Sequence, residues 1–337
     1  MRSLLSLCTL SLATSIACAQ PTPDYGFEWR TIGDPGNPDA RVEDYFYLQF
    51  GPGPVGGVDY TYRLTRTEVT NTQWIEFVDV YSRLNPSVYG DPGFHGRDVF
   101  FTSSNPDNFG WTPFGGAENS AAVVAWLYAA RFCNWLHNGK VNQLWAFENG
   151  AYDMSTYHDT PTGWVGQLTR SLGARFWIPN QDEWTKGLHW DPNKHGVGQG
   201  GYWLYPHSSD TPPIGGAPGT PGAQTSAGGW DDDAYQYVPV GSYLHAQSPW
   251  GLLDGSGGAA EYMEGGQAPG ALHSTWTRFN SIHPYDRLDF SWGTLPNAPV
   301  GGLRIASIVP SPASMIALFA IGGVLPMRRR HVRECSR

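Results

Sequence analysis

Cysteine is nearly absent from this chain of 337 residues. Cys8 and Cys18 lie at the start and Cys335 at the end, so Cys133 stands alone in the body of the chain. A lone thiol closes no internal disulfide, and no CxxC pair or Cys/His zinc spacing occurs. The ten histidines are scattered without the spacing of metal ligands. Charge is sparse as well, at 15% of residues with a formal net of −9, which excludes the basic footprint that nucleic acid requires. No internal repeat is present, and no apolar run reaches the roughly 20 residues that comfortably span a bilayer. Against these absences stand 42 glycines, 17 tyrosines and 15 tryptophans. Such a composition describes an ordered chain held by aromatic packing and tight turns rather than by long regular elements.

The two ends read as export signals. Residues 1–19 carry Arg2 as a short positive region, an apolar stretch from Leu4 to Ile16, and Ala17-Cys18-Ala19 as a small-x-small cleavage site. Lipidation of Cys18 is the rival reading, opposed by Ser15 where a large aliphatic residue is usual. At the other end, Val309-Pro310-Ser311-Pro312 precedes the apolar run Ala313–Leu325 and the cluster Arg328-Arg329-Arg330, a stop-transfer order. Residues 309–330 resemble the bacterial PEP-CTERM envelope-sorting signal, with Ser311 in place of its usual Glu. An ordinary C-terminal membrane anchor is the alternative. Either reading places the chain outside the cytoplasm, in the cell envelope or beyond it.

The stretch between the ends is long enough for one large domain. A helix is expected over Thr70–Tyr81, where Thr70 and Gln73 make a capping box and Trp74, Phe77, Val78 and Tyr81 share a face. A second is expected over Ser120–His137, capped by Asn119 or Ser120 and stopped by Asn138-Gly139. A third begins at Asn180, paired with Glu183, and turns Trp184 and Leu188 inward. Strands are expected over Tyr60–Val69, Val238–Tyr243 and Gly302–Ala306, and a long surface loop over Pro206–Gly229. The class is α+β.

Five segments, in order, resemble the sulfatase-modifying-factor family, that of the formylglycine-generating enzyme. Glu68-Val69-Thr70-Asn71-Thr72-Gln73-Trp74 looks like the family's opening helix, and Phe132-Cys133-Asn134-Trp135-Leu136 like its central one. Arg175 to Trp184 is similar to the Arg-Leu-Pro-Thr-Glu-x-Glu-Trp block, with two extra residues before Pro179. Pro239-Val240-Gly241-Ser242 with Gly251-Leu252-Leu253-Asp254 resembles the next two blocks, and Gly302-Leu303-Arg304 the closing Gly-Phe-Arg. The five motifs are spread over residues 68 to 306 of a domain set at 25–307, and the resemblance implies an irregular fold like a C-type lectin domain, with few helices and short antiparallel strands. A monomer is expected.

The resemblance also implies a calcium loop. Asp254 and Glu261 would give side-chain oxygens and Gly257 and Ala259 carbonyls, the mixture calcium takes. Asp232 matches a second calcium aspartate. Gly258 and Ala260 replace the family's Asn and Trp. A phosphate cradle is the weaker reading of these glycines, since no Lys follows them. The family's oxidase holds copper(I) with two thiolates shortly before the Gly-Phe-Arg ending, but residues 271–300 contain no cysteine. Copper is therefore not expected. The expected function is a non-catalytic binding or structural module, with a glycan or an envelope protein as partner and the membrane reached through the C-terminal segment. Trp203, Tyr205 and Trp276 are the candidate ligand platforms. The alternative is a formylglycine-generating or other sulfatase-modifying enzyme with a diverged active site.

Overall fold

A four-stranded antiparallel sheet organises the chain in the computed structural model. The structure describes residues 22–40, 55–103, 110–161, 163–167, 169–226, 238–264, 271–273, 291–293 and 297–310. Residues 24–309 form one compact unit; the signal segment 1–19 and residues 311–330 of the sorting segment lie outside the described residues. Among the described residues no helix is long and apolar enough to cross a membrane.

The sheet contains β1 (Trp29–Ile32), β2 (Tyr62–Thr65), β3 (Phe176–Trp177) and β4 (Ala306–Ile308), in the spatial order β1-β2-β4-β3. All four residues of β2 are buried, as befits a central strand covered on both faces. Its register pairs Leu64 with Ala306 and Thr65 with Trp29. Short antiparallel pairs surround it, among them Val99–Ser103 with Gly110–Pro113 and the three-stranded set Glu261–Met263, Ala271–His273 and Ser291–Gly293. The whole is α+β, with few helices and short antiparallel sheets.

Helix α1 (Asn71–Leu84) starts where the capping box predicts. Thr70 Oγ1 accepts from the Gln73 N–H, and the Gln73 side chain accepts from the Thr70 N–H. It continues three residues beyond the expected Tyr81. Helix α2 (Trp126–His137) begins six residues later than expected. Residues 120–125 are drawn out instead by long-range backbone bonds: Ala122 N–H donates to Val69 and Val124 N–H to Gly301. The β-branched pair Val123-Val124 suits that extended path. The predicted stop holds, with Asn138 as cap and Gly139 at φ +75°. Helix α3 (Gln181–His189) has the predicted Asn180/Glu183 box and buries Trp184 and Leu188.

Two strand expectations are corrected. Residues 238–243 form a turn, because Gly241 takes φ +76° and Val240 bonds to Asn119 rather than to a strand partner. The closing strand is Ala306–Ile308, not 302–306. Leu303 and Ile305 spend their carbonyls on Val69 and Thr65 before the strand begins. The described part of the 206–229 loop contains only isolated bridges. Between α1 and α2 sits an aromatic core, with Trp74 4.7 Å from Phe77 and 5.2 Å from Phe132 between ring centroids. Cys133 is buried in the same core.

Candidate functional site

The first, third, fourth and fifth of the segments singled out above meet at one buried point. Backbone bonds run from Val69 to Leu303, from Leu253 to Arg66 and from Gly302 to Ala260, so residues 66–69, 253–260 and 301–304 lie side by side. Arg304, fully buried, reaches across all three. Its Nε and one terminal nitrogen donate to the two Glu261 oxygens at 3.0 and 2.8 Å. Its other contacts are the carbonyls of Thr65 and Leu253, at 2.7 and 2.8 Å. Glu261 also accepts from the Trp184 Nε1–H at 2.7 Å, which ties in α3. A bidentate, fully bonded pair of this kind keeps two charges tolerable in an interior.

Beside this pair lie two more carboxylates. Glu68 is 2% exposed, and neither of its carboxylate oxygens has a hydrogen-bond partner among the described residues. Burial pushes its pKa well above the usual carboxylate range, Asp254 and Glu261 push the same way, and Arg304 opposes them. Asp254 is half-buried, with φ +57°, a left-handed conformation rare outside glycine. One of its oxygens accepts from the Gly241 N–H at 2.6 Å. Burial pushes its pKa up to about 6, against that hydrogen bond and against Arg304. Gly257 and Gly258 follow at φ +77° and +78°. A Cβ on Gly258 would stand 2.9 Å from Glu68 Oε1. That contact gives a physical reason for glycine at position 258.

The turn and Glu68 enclose a cavity of about 70 Å³. Its wall includes Glu68, Ser120, Asp254, Gly257 and Ala259, with Arg97 also present. The Ser120 hydroxyl is buried and unpartnered. Asp254, Gly257 and Ala259 from the expected calcium set thus line one space. Glu261 does not line it, since its carboxylate is turned to Arg304 and Trp184. Asp232 and Trp276 lie outside the described residues. Among the described residues no group of three or more His, Cys, Asp or Glu side chains is placed to hold a metal. A cation in this cavity would rest on two carboxylates with hydroxyl and backbone oxygens.

The expected platforms are elsewhere. Tyr205 is 3% exposed and packs 6.0 Å from His207, so its ring offers no open stacking face. Trp203 is half-buried, with Nε1–H donating to Asp191 and the Lys194 ammonium 4.6 Å from its ring. Sequence reasoning assigned Glu68 to a helix-opening motif and gave it no role at the site. The available signal was a carboxylate set among residues reading as a buried strand.

A second network lines a groove of about 500 Å³. Arg170 lies 4.2 Å over the Trp177 ring, 2.9 Å from Glu183, and in a short ion pair with Glu264. Glu264 also accepts from the Tyr152 hydroxyl at 2.7 Å. Burial pushes its pKa up to about 7, Arg170 opposing and Glu183 adding. Cys133, buried in the core, has its thiol pushed well above the usual range by burial, with Glu264 adding.

No family model matches the chain, and no curated protein is significantly similar to it. Among solved structures, variable protein 1 of Treponema denticola superposes with a TM-score of 0.49 at 14% identity. The match covers 84% of this chain and 95% of that one.

Proposed function

We propose that this chain is an exported, envelope-associated binding or structural module. In this reading its scaffold is of the sulfatase-modifying-factor, C-type-lectin-like kind, and it has no formylglycine-generating activity. The observation that carries the reading is the cysteine inventory: between residues 24 and 309 the chain holds Cys133 alone, and that thiol is buried in the aromatic core. Copper(I) oxidase chemistry on two thiolates has no ligand pair there. The polar residues of the motif segments support the reading from another side. Glu261, Trp184 and Arg304 spend their hydrogen bonds on one another and on backbone, as scaffold groups do. The partner class is a glycan or another envelope protein, and the membrane is reached through residues 309–330.

The test is direct. The purified chain, supplied with copper(I), oxygen and a Cys-x-Pro-x-Arg peptide, is expected to consume no oxygen and leave the peptide cysteine unchanged. Turnover above the copper-only control would sink the reading and restore the diverged-enzyme alternative. Retention on a glycan column, or saturable binding to an envelope protein, is the expected positive result.

A further inference from the structure

The chain leaves its central sheet at the rim of the Arg170 groove. Ile308, the last residue of β4, lines that groove and is 40% exposed. Residues 309–312 alone separate it from the apolar run that opens at Ala313. Those few residues reach at most about 18 Å when fully extended. A domain of this length has a radius of gyration of about 19 Å. So short a tether cannot turn the Ile308 end away from a bilayer that the apolar run enters.

That end is apolar where it is exposed. Residues 171–174 form a turn in which the Ala174 N–H donates to the Ser171 carbonyl at 3.2 Å and Gly173 takes φ +83°. A positive φ at the third position marks a type II turn, with Leu172 at its tip. The base of the turn is fixed, because the Ser171 N–H donates to the Ala151 carbonyl and the Arg170 N–H to Glu264. Leu172 itself is fully exposed. Tyr60 stands on the same wall, its hydroxyl bonded to Glu183 and Arg170 and its ring edge-on to Tyr62 and 42% exposed. One exposed leucine needs no explanation, but three large apolar residues on one rim do. The charges agree. The charged side chains of this wall, among the described residues, are Arg170 and Glu264, and they pair with each other. In a chain of net charge −9, this wall is one that anionic lipid would not repel.

We propose that Leu172, Tyr60 and Ile308 seat the domain on the bilayer surface, with Leu172 entering the lipid and the Tyr60 ring at headgroup level. Tyrosine favours that interface, and Leu172 gains by leaving water. The inference rests on the membrane reading of residues 309–330 given above, and adds an orientation to it. The groove opens against the lipid headgroups, and a soluble partner is left the rest of the surface.

The test uses the full-length chain with Cys8, Cys18 and Cys335 changed to serine, leaving the buried Cys133. A nitrobenzoxadiazole fluorophore is attached through Leu172→Cys or, as control, through Val197→Cys. Val197 is as exposed as Leu172 and lies off the groove wall. Each chain is reconstituted with vesicles of phosphatidylethanolamine and phosphatidylglycerol, with and without spin-labelled lipid. Both are expected to float with the vesicles and to unfold at the wild-type Tm. The probe at 172 is expected to shift to the blue and to be quenched by the spin-labelled lipid several-fold more than the probe at 197. Equal quenching at the two positions in floating chains overturns the docking proposal and leaves the membrane reading standing. Chains that do not float overturn both. A blue shift at 172 that grows with protein concentration in the absence of vesicles means that a second copy covers this rim, and it too overturns the proposal.

Discussion

Glu264 and Glu261 are both buried carboxylates facing an arginine, and they differ in how completely their charge is met. Glu261 receives three donors within 3.0 Å and is fully compensated. Glu264 shares Arg170 with Glu183, and burial keeps its pKa near 7. A carboxyl raised from about 4.5 to about 7 on folding binds its proton more tightly in the folded state. It stabilises the fold fully below the lower value, and that contribution is lost as pH rises to the upper one. Stability is therefore expected to fall between about pH 4.5 and pH 7, by at most about 3 kcal/mol from this group. Urea unfolding of wild type and E264Q across that range checks it. The variant should show a shallower slope, with Asp254 supplying part of what remains. An identical slope in both proteins would remove Glu264 as the source.

Among the elements, α3 shows how much a local signal can determine. Asn180 caps it and Glu183 completes the box, a pattern visible in four residues of sequence. The structure adds that the same Glu183 carboxylate accepts from Trp177 Nε1–H, the Tyr60 hydroxyl and Arg170. Loss of the cap should therefore disturb more than a helix end. Asn180→Ala is expected to cost about 1–2 kcal/mol, and Thr70→Ala on α1 about 1 kcal/mol. Paired denaturation curves compare the two. Helix α2 is the opposite case. Its apolar pattern over Ser120–His137 is continuous, but bonds to Val69 and Gly301 hold residues 120–125 extended. Those partners are distant in sequence, so a periodicity reading over-extends the helix.

For the molecule as a whole, Arg304 is the joint. It links β2 through Thr65, the 254–261 turn through Leu253 and Glu261, and, through Glu261, the Trp184 of α3. Removing it leaves Glu261 a buried charge with the Trp184 Nε1–H as its remaining donor, and takes the Arg304 donors from the Thr65 and Leu253 carbonyls. Arg304→Met is expected to cost roughly 3–5 kcal/mol, measured as a lowered urea midpoint. Adding Glu261→Gln to it should recover part of the loss, because the stranded charge disappears. No recovery in the double variant would mean that the carbonyl contacts, and not the ion pair, carry the joint.

The sequence by itself determined what depends on near neighbours. The caps of α1 and α3, their buried faces, the Gly139 stop, the α+β class and the absence of a thiolate pair all follow from spacings of a few residues or from simple inventory. Capping and amphipathicity are decided within three or four positions, so they survive without knowledge of the fold. Only the tertiary structure decided which carboxylate is satisfied. Glu261 lies 43 residues from Arg304 and 77 from Trp184, and their meeting depends on how β2, the turn and the closing segment come into register. That register gives Glu261 every donor and leaves Glu68, opening its motif in plain view, buried beside a cavity with none among the described residues.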